Sequence, residues 1–173
     1  MEFFCDTGIL IAYSLPDSFS RSCSMHFQKY PHTSNKYLYC LEVKKEFEHK
    51  KINRVKRIGL RSKIERTIEI QSKEFFTFAT EKNYHNDSKF NTVKKSIHNE
   101  LSDKTGKPYE ILENDARILS NSILWTVKDN PVMPYFFTTD YNDIVKNKEF
   151  ILIAASNALG IKIILEFIGL ASS

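Results

Sequence analysis

The sequence predicts an α/β fold, a three-layer α/β/α sandwich around a central, mostly parallel sheet, and two observations carry that reading. Short β-prone runs, Phe3-Phe4-Cys5, Tyr37 to Leu41, Tyr135-Phe136-Phe137 and Ile161 to Leu165, are separated by stretches of helical periodicity. Such alternation implies βαβ crossovers and a parallel sheet covered on both faces. Two of the runs stop at an acid, Asp6 and Asp140, and open parallel sheets place their chemistry at the carboxyl ends of the strands.

The first junction is Glu2-Phe3-Phe4-Cys5-Asp6-Thr7-Gly8, running into Ile9-Leu10-Ile11-Ala12. Asp-Thr-Gly also marks aspartic proteases, but those folds are almost all β and this pattern is not. A phosphoaspartyl transferase of the haloacid-dehalogenase type wants a second Asp where Gly8 stands. An Asp that merely caps the next helix is the plain alternative. Ile9, Leu10, Tyr13 and Leu15 fit a short helix that Pro16 ends. Ser18 to Tyr30 is helix-prone and Pro31 to Asn35 a loop; His26 and His32 lie here as lone histidines, ordinary core or surface residues rather than ligands.

At the second junction Tyr37 to Leu41 passes into a helix over Glu42 to Lys50, where Glu46 lies beside the apolar pair Val43 and Phe47. An i,i+4 pairing of Glu46 with Lys50, worth a few tenths of a kcal/mol, is the alternative role. Phe90, Val93, Ile97 and Leu101 anchor an amphipathic helix. Asn114 to Trp125 is the clearest helix, with Asp115 expected in its first turn, where the dipole alone favours an acid. Pro134 to Phe137 reads as a strand ending at Thr138-Thr139-Asp140, Glu149 to Leu159 as a helix closed by Gly160, and Ile161 to Leu165 as a last buried strand.

A chain of 173 residues with 42% apolar side chains supports a single domain over 1–173 with a real core. Cys5, Cys23 and Cys40 form no Cys-x-x-Cys pair, so neither a disulfide framework nor a zinc site is expected. With no apolar run of about 18 residues and no leader pattern, a cytoplasmic protein is expected, without a membrane span. Net charge is only +4, yet from Lys44 to Lys73 eleven Lys or Arg face four Glu. We read 52–105 as a basic helical insertion able to track a phosphate backbone, with Lys56, Arg57, Arg61 and Lys63 as the contacts. Gly106-Lys107 lacks the spacing of a phosphate-cradling loop.

The ordered acids Asp6, Glu46, Asp115 and Asp140 give the chain a resemblance to the PIN domain, the metal-dependent nuclease fold of toxin ribonucleases and RNA-processing enzymes. The pieces that carry it are Phe3 to Ile11, Val43-Lys44-Lys45-Glu46-Phe47, Asn114-Asp115-Ala116-Arg117-Ile118-Leu119, Thr138-Thr139-Asp140 and Leu159 to Ile164. They span 1–50 and 108–165 and leave the basic stretch outside. The resemblance implies a Mg²⁺- or Mn²⁺-dependent endoribonuclease whose four acids hold the metal and carry hydrolysis. Glu42 competes with Glu46 for its place, and Asn142 or Asp143 would complete the metal set. It also implies an RNA partner and an antitoxin or RNA-processing protein, and leaves a homodimer open. The other reading is a catalytically silent PIN-like module that binds RNA or docks a protein.

Overall fold

The computed structural model describes residues 1–58 and 62–172, with the backbone alone for 52, 54–58 and 62–64. Five strands, β1 (Glu2–Cys5), β2 (Lys36–Tyr39), β3 (Thr80–Glu81), β4 (Pro134–Thr138) and β5 (Glu166–Gly169), form one sheet in the order β3-β2-β1-β4-β5. Every pairing is parallel. Helices α1 (Thr7–Ser14), α2 (Ser20–Lys29), α3 (Leu41–Ile58) and α4 (Ser62–Phe78) connect β1, β2 and β3; α5 (Phe90–Thr105), α6 (Tyr109–Asp129) and α7 (Lys148–Leu159) connect β3, β4 and β5. The chain moves outward from β1 to β3 and then from β4 to β5 in the opposite direction. Right-handed crossovers therefore place the two helix sets on opposite faces. The direction reverses between β1 and β4, and the crevice at such a point is where this architecture holds its ligands.

The core follows from the strand alternation. Phe3 stacks on Tyr37 (5.0 Å between ring centroids) and Tyr135 (5.4 Å), and meets His26 edge-on, on the α2 side. Phe4, one residue on, points to the other face and meets Trp125 of α6. His26 is buried against Phe137 (3.9 Å) as a packing residue, whereas His32 stacks on Phe78 from an exposed position.

Most expected elements are present, and four differ. The strand expected over Ile161 to Leu165 begins only at Glu166; Ile161 and Ile164 are exposed, and the Ile163 amide donates to Ser156 Oγ (3.2 Å) instead of to a strand. The helix carrying Asp115 starts at Tyr109, after Pro108, so Asp115 lies in its second turn. Thr80 and Glu81, inside the stretch read as a helical insertion, form the two-residue strand β3. Finally, the expected insertion at 52–105 is largely built into the layers. Ile68 and Phe75 of α4 are buried, β3 pairs with β2, and α5 packs on α6 and α7.

Candidate active site

The register brings two acids to one sheet edge. Cys5 pairs with Phe137, and the Asp6 amide donates to the Phe137 carbonyl (2.9 Å), which brings Asp6 level with Thr138. Thr138 Oγ1 donates to Asp6 Oδ2 (2.8 Å) and accepts from the Asp140 amide (2.9 Å), so one buried hydroxyl ties both strand ends together. Asp6 is also the N-cap of α1, accepting from the Thr7 amide (2.7 Å). Asp140 does the same for the wide helical turn Tyr141–Val145, accepting from the Asp143 amide (2.9 Å). Capping, the plain alternative for Asp6, is thus realised, and it orients the carboxylate at the sheet edge.

Two helices bring further acids. On α3, burial of Val43 and Phe47 turns Glu46 toward Asp6, where Glu46 Oε2 accepts from Thr7 Oγ1 (2.7 Å) and from Asn114 Nδ2. Lys50, one turn on, pairs with Glu46 Oε1. Glu42 points elsewhere, to Arg117 (3.6 Å) and Asn121 (3.3 Å), which separates it from the cluster. On α6, Asp115 projects from the turn whose Leu112, Ala116 and Leu119 are buried. Among the described residues it makes no hydrogen bond or ion pair, yet it lies within the field of Asp6, Glu46 and Asp140. Asp143 is buried and paired with Lys107 from the α5–α6 connection, whereas the Asn142 side chain is exposed.

Electrostatics follow from this crowding. Burial pushes the Asp6 carboxyl up to about 6, against the hydrogen bonds from Thr138 and Thr7 and the charge of Lys50. Burial, then the charges of Asp6, Glu46 and Asp140, push Asp115 up to about 8. The ion pair with Asp143 holds Lys107 above the usual lysine range, with Asp140 and Asp115 adding to it. Carboxylates this close repel one another unless a cation or protons enter.

The donor set is all oxygen, which suits a hard divalent ion. Asp115 is the observation that fits best, a carboxylate with no hydrogen-bond donor among the described residues. The oxygens of Asp6 and Glu46 are engaged by Thr7, Thr138, Asn114 and Lys50, and among the described residues no group of three or more His, Cys, Asp or Glu is arranged as a ready ligand set. Proximity is therefore present without converged coordination. Of the basic residues assigned to phosphate contacts, the side chains of Lys56, Arg57, Arg61 and Lys63 lie outside the described residues. Sequence reasoning missed Thr7, Asn114, Thr138 and Lys107, since a hydroxyl, an amide or a lone lysine carries no signature until the fold aims it.

Gly8 is required by close approach. A Cβ there would overlap Thr139 Oγ1 and stand 3.1 Å from Thr139 Cβ, so Asp-Thr-Gly ends in glycine because α1 starts against the end of β4. Among the described residues, no helix is long and apolar enough to cross a membrane.

Neither a protein-family model nor a curated protein matches the chain. Among solved structures it is similar to VapBC2 from Rickettsia felis bound to a DNA fragment from their promoter. The TM-score is 0.55 at 16% identity, over 96% of this chain and 98% of that one. The two share a fold. At that identity the likeness speaks of the fold alone.

Proposed function

We propose that the protein is a metal-dependent ribonuclease of the PIN type. The observation that carries this reading is the meeting of Asp6, Glu46, Asp115 and Asp140, from four separate elements, at the point where the sheet reverses direction. These four would hold Mg²⁺ or Mn²⁺. When bound, such an ion would supply activation of a water for in-line attack on a phosphodiester and charge stabilisation at the leaving oxygen. The chain's own residues do the rest. Thr138 and the α1 amide fix the Asp6 carboxylate, Thr7 and Asn114 fix Glu46, and Lys50 offers a cation beside the acids for the phosphate. Fold likeness to VapBC2, together with the PIN resemblance, supports a partner of the antitoxin kind.

Single-stranded RNA should be cut only with Mg²⁺ or Mn²⁺, and Asp6→Asn or Asp140→Asn should abolish cutting with the fold retained by circular dichroism. Cleavage that survives both substitutions sinks the carboxylate mechanism. One observation favours a silent RNA-binding or docking module instead: Asp6, Glu46 and Asp143 already have protein donors on their carboxylates. Calorimetric titration separates the two readings, because a silent module would show no saturable Mn²⁺ binding.

A further inference from the structure

Two clefts flank the acidic edge. One is lined by Gly8, Ile11, His49, Lys50 and Asn53, with Asp17 at its border. The other is lined by Asp140, Tyr141, Asn142 and the segment from Gly169 to Ser172. Phe19 and Thr139 border both, so a chain lying in one can continue into the other past Asp140.

Tyr141 is the residue in this path that folding does not explain. It is 61% exposed, although it follows directly on a cluster acid. Its backbone is fixed by the turn that Asp140 caps, by the Lys146 amide donating to its carbonyl (2.9 Å), and by burial of Ile144 two residues beyond Asn142. The ring lies beside β5: a Cβ on Gly169 would stand 3.6 Å from Tyr141 Cδ2, an ordinary van der Waals distance. Another wall of the cleft is the segment from Gly169 to Ser172, held by the Leu170 amide on the Thr138 carbonyl (2.9 Å) and by Ser22 Oγ on the Ala171 carbonyl (2.8 Å). An aromatic ring supported on one side, open on the other and set next to a row of acids has the form of a stacking platform for an unpaired base. A-form duplexes keep their bases inside the helix, so such a platform selects single strands.

We infer that Tyr141 stacks an unpaired base of single-stranded RNA, whose backbone continues past Thr139 toward Lys50. The choice of nucleic acid rests on the ribonuclease reading above. The test uses Asp6→Asn protein with Mg²⁺ and a short single-stranded RNA carrying 2-aminopurine at successive positions, so that binding is read without cleavage. One position should be quenched on binding. Adding Tyr141→Ala should remove that quench and weaken affinity about 5- to 150-fold, the range for one base–aromatic stack; Tyr141→Phe should keep both. An abasic site at the quenched position should weaken the parent to the same degree and leave Tyr141→Ala unchanged. Parental affinity in Tyr141→Ala, or an equal loss on duplex RNA, overturns the inference. Cleavage by the Asp6-intact chain decides the enzyme reading separately: a quench without cleavage keeps the base site and removes the nuclease, and cleavage with parental KM in Tyr141→Ala does the reverse.

Discussion

Asp6 and Asp115 belong to one cluster but are held in opposite ways. Asp6 is the more deeply buried and accepts from a backbone amide and a threonine hydroxyl, one on each carboxylate oxygen. Asp115 is half-buried, has no donor among the described residues, and sits against three other acids. Burial raises both, yet Asp6 rises to about 6 and Asp115 to about 8. Hydrogen bonds to the charged form offset desolvation at one site; at the other, like charges add to it. Asp6 is thus a carboxylate that the fold accommodates, and Asp115 one that the fold tolerates. An acid kept at a cost to the folded state is what the metal-binding role proposed for Asp115 would require.

The largest effects should come from removing each charge. Asp6→Asn and Asp115→Asn should both lower metal-dependent kcat/KM by about 10²-fold or more. Their stability effects should differ in size. Asp6→Asn keeps an oxygen to cap α1, and relief of its desolvation offsets the loss of one acceptor, so stability should change little. Asp115→Asn relieves repulsion and should stabilise the metal-free chain by about 1 to 2 kcal/mol, less than the full shift because neighbouring acids share the proton uptake. Urea unfolding of both variants in chelator measures this, and a destabilised Asp115→Asn breaks the contrast.

Stability against pH sharpens the same contrast. Both folded-state values lie above the ordinary carboxylate value of 3.8, so the folded chain keeps protons that the unfolded chain has lost. The stability from these protons is complete below that value and is lost as pH rises through about 6 for Asp6 and about 8 for Asp115. His26 acts in the other direction. Burial lowers it to about 4 from 6.5, so its contribution is present above 6.5 and is lost as pH falls toward 4. The two trends oppose each other between about pH 4 and 6.5, and the Asp115 trend stands alone above that window. Without metal, Tm should fall from about pH 6.5 to 8.5; Asp115→Asn should flatten the fall, and saturating Mn²⁺ should remove it, because metal binding requires the deprotonated carboxylates. A fall that persists in Asp115→Asn assigns the proton elsewhere.

Gly8→Ala tests the scaffold beneath Asp6 without touching Asp115. The added methyl must displace Thr139, whose Cβ lies 3.1 Å from it, and overpacking of this kind costs about 1 to 3 kcal/mol. Chemical denaturation should show that loss, with Asp6 displaced and Asp115 unaltered. An unchanged midpoint would mean that Thr139 rotates freely and that the glycine answers to no packing constraint.

What was legible in the sequence divides along physical lines. Asp6 and Asp140 could be read because a strand that stops at an acid is a local pattern, and the parallel register then brings both to one sheet edge, bridged by Thr138. Glu46 could be placed only as one of two candidates. Its helix face is shared with Glu42, and the choice is made by Arg117 and Asn121, more than seventy positions away in the chain. The first turn of α6 was missed because Tyr109 to Glu113 shows little apolar periodicity, while Pro108 set the start. The strand over 161–165 was displaced because its isoleucines satisfy a β pattern locally, and only pairing with Tyr135 to Thr138 selects Glu166 to Gly169. Two residues, Thr80 and Glu81, are too few for any periodicity to announce β3.

The smallest expected effect on stability, and the sharpest on mechanism, belongs to Lys50. Its ion pair with Glu46 spans one helical turn and its side chain is about half exposed to solvent, so Lys50→Ala should cost only about 0.3 to 0.5 kcal/mol. The same ammonium lowers both Asp6 and Asp115. Removing it should therefore raise both acids and steepen the loss of Tm above neutral pH, the reverse of Asp115→Asn. If Lys50 also meets an RNA phosphate, the slope of log affinity against log salt should flatten by about 0.7 for a single strand. Turnover at saturating RNA should change less than affinity, because a phosphate-positioning lysine acts on binding more than on the chemical step. A steeper Tm profile with an unchanged salt slope would confine Lys50 to the role of counter-ion for the acids, and RNA would then reach them without it.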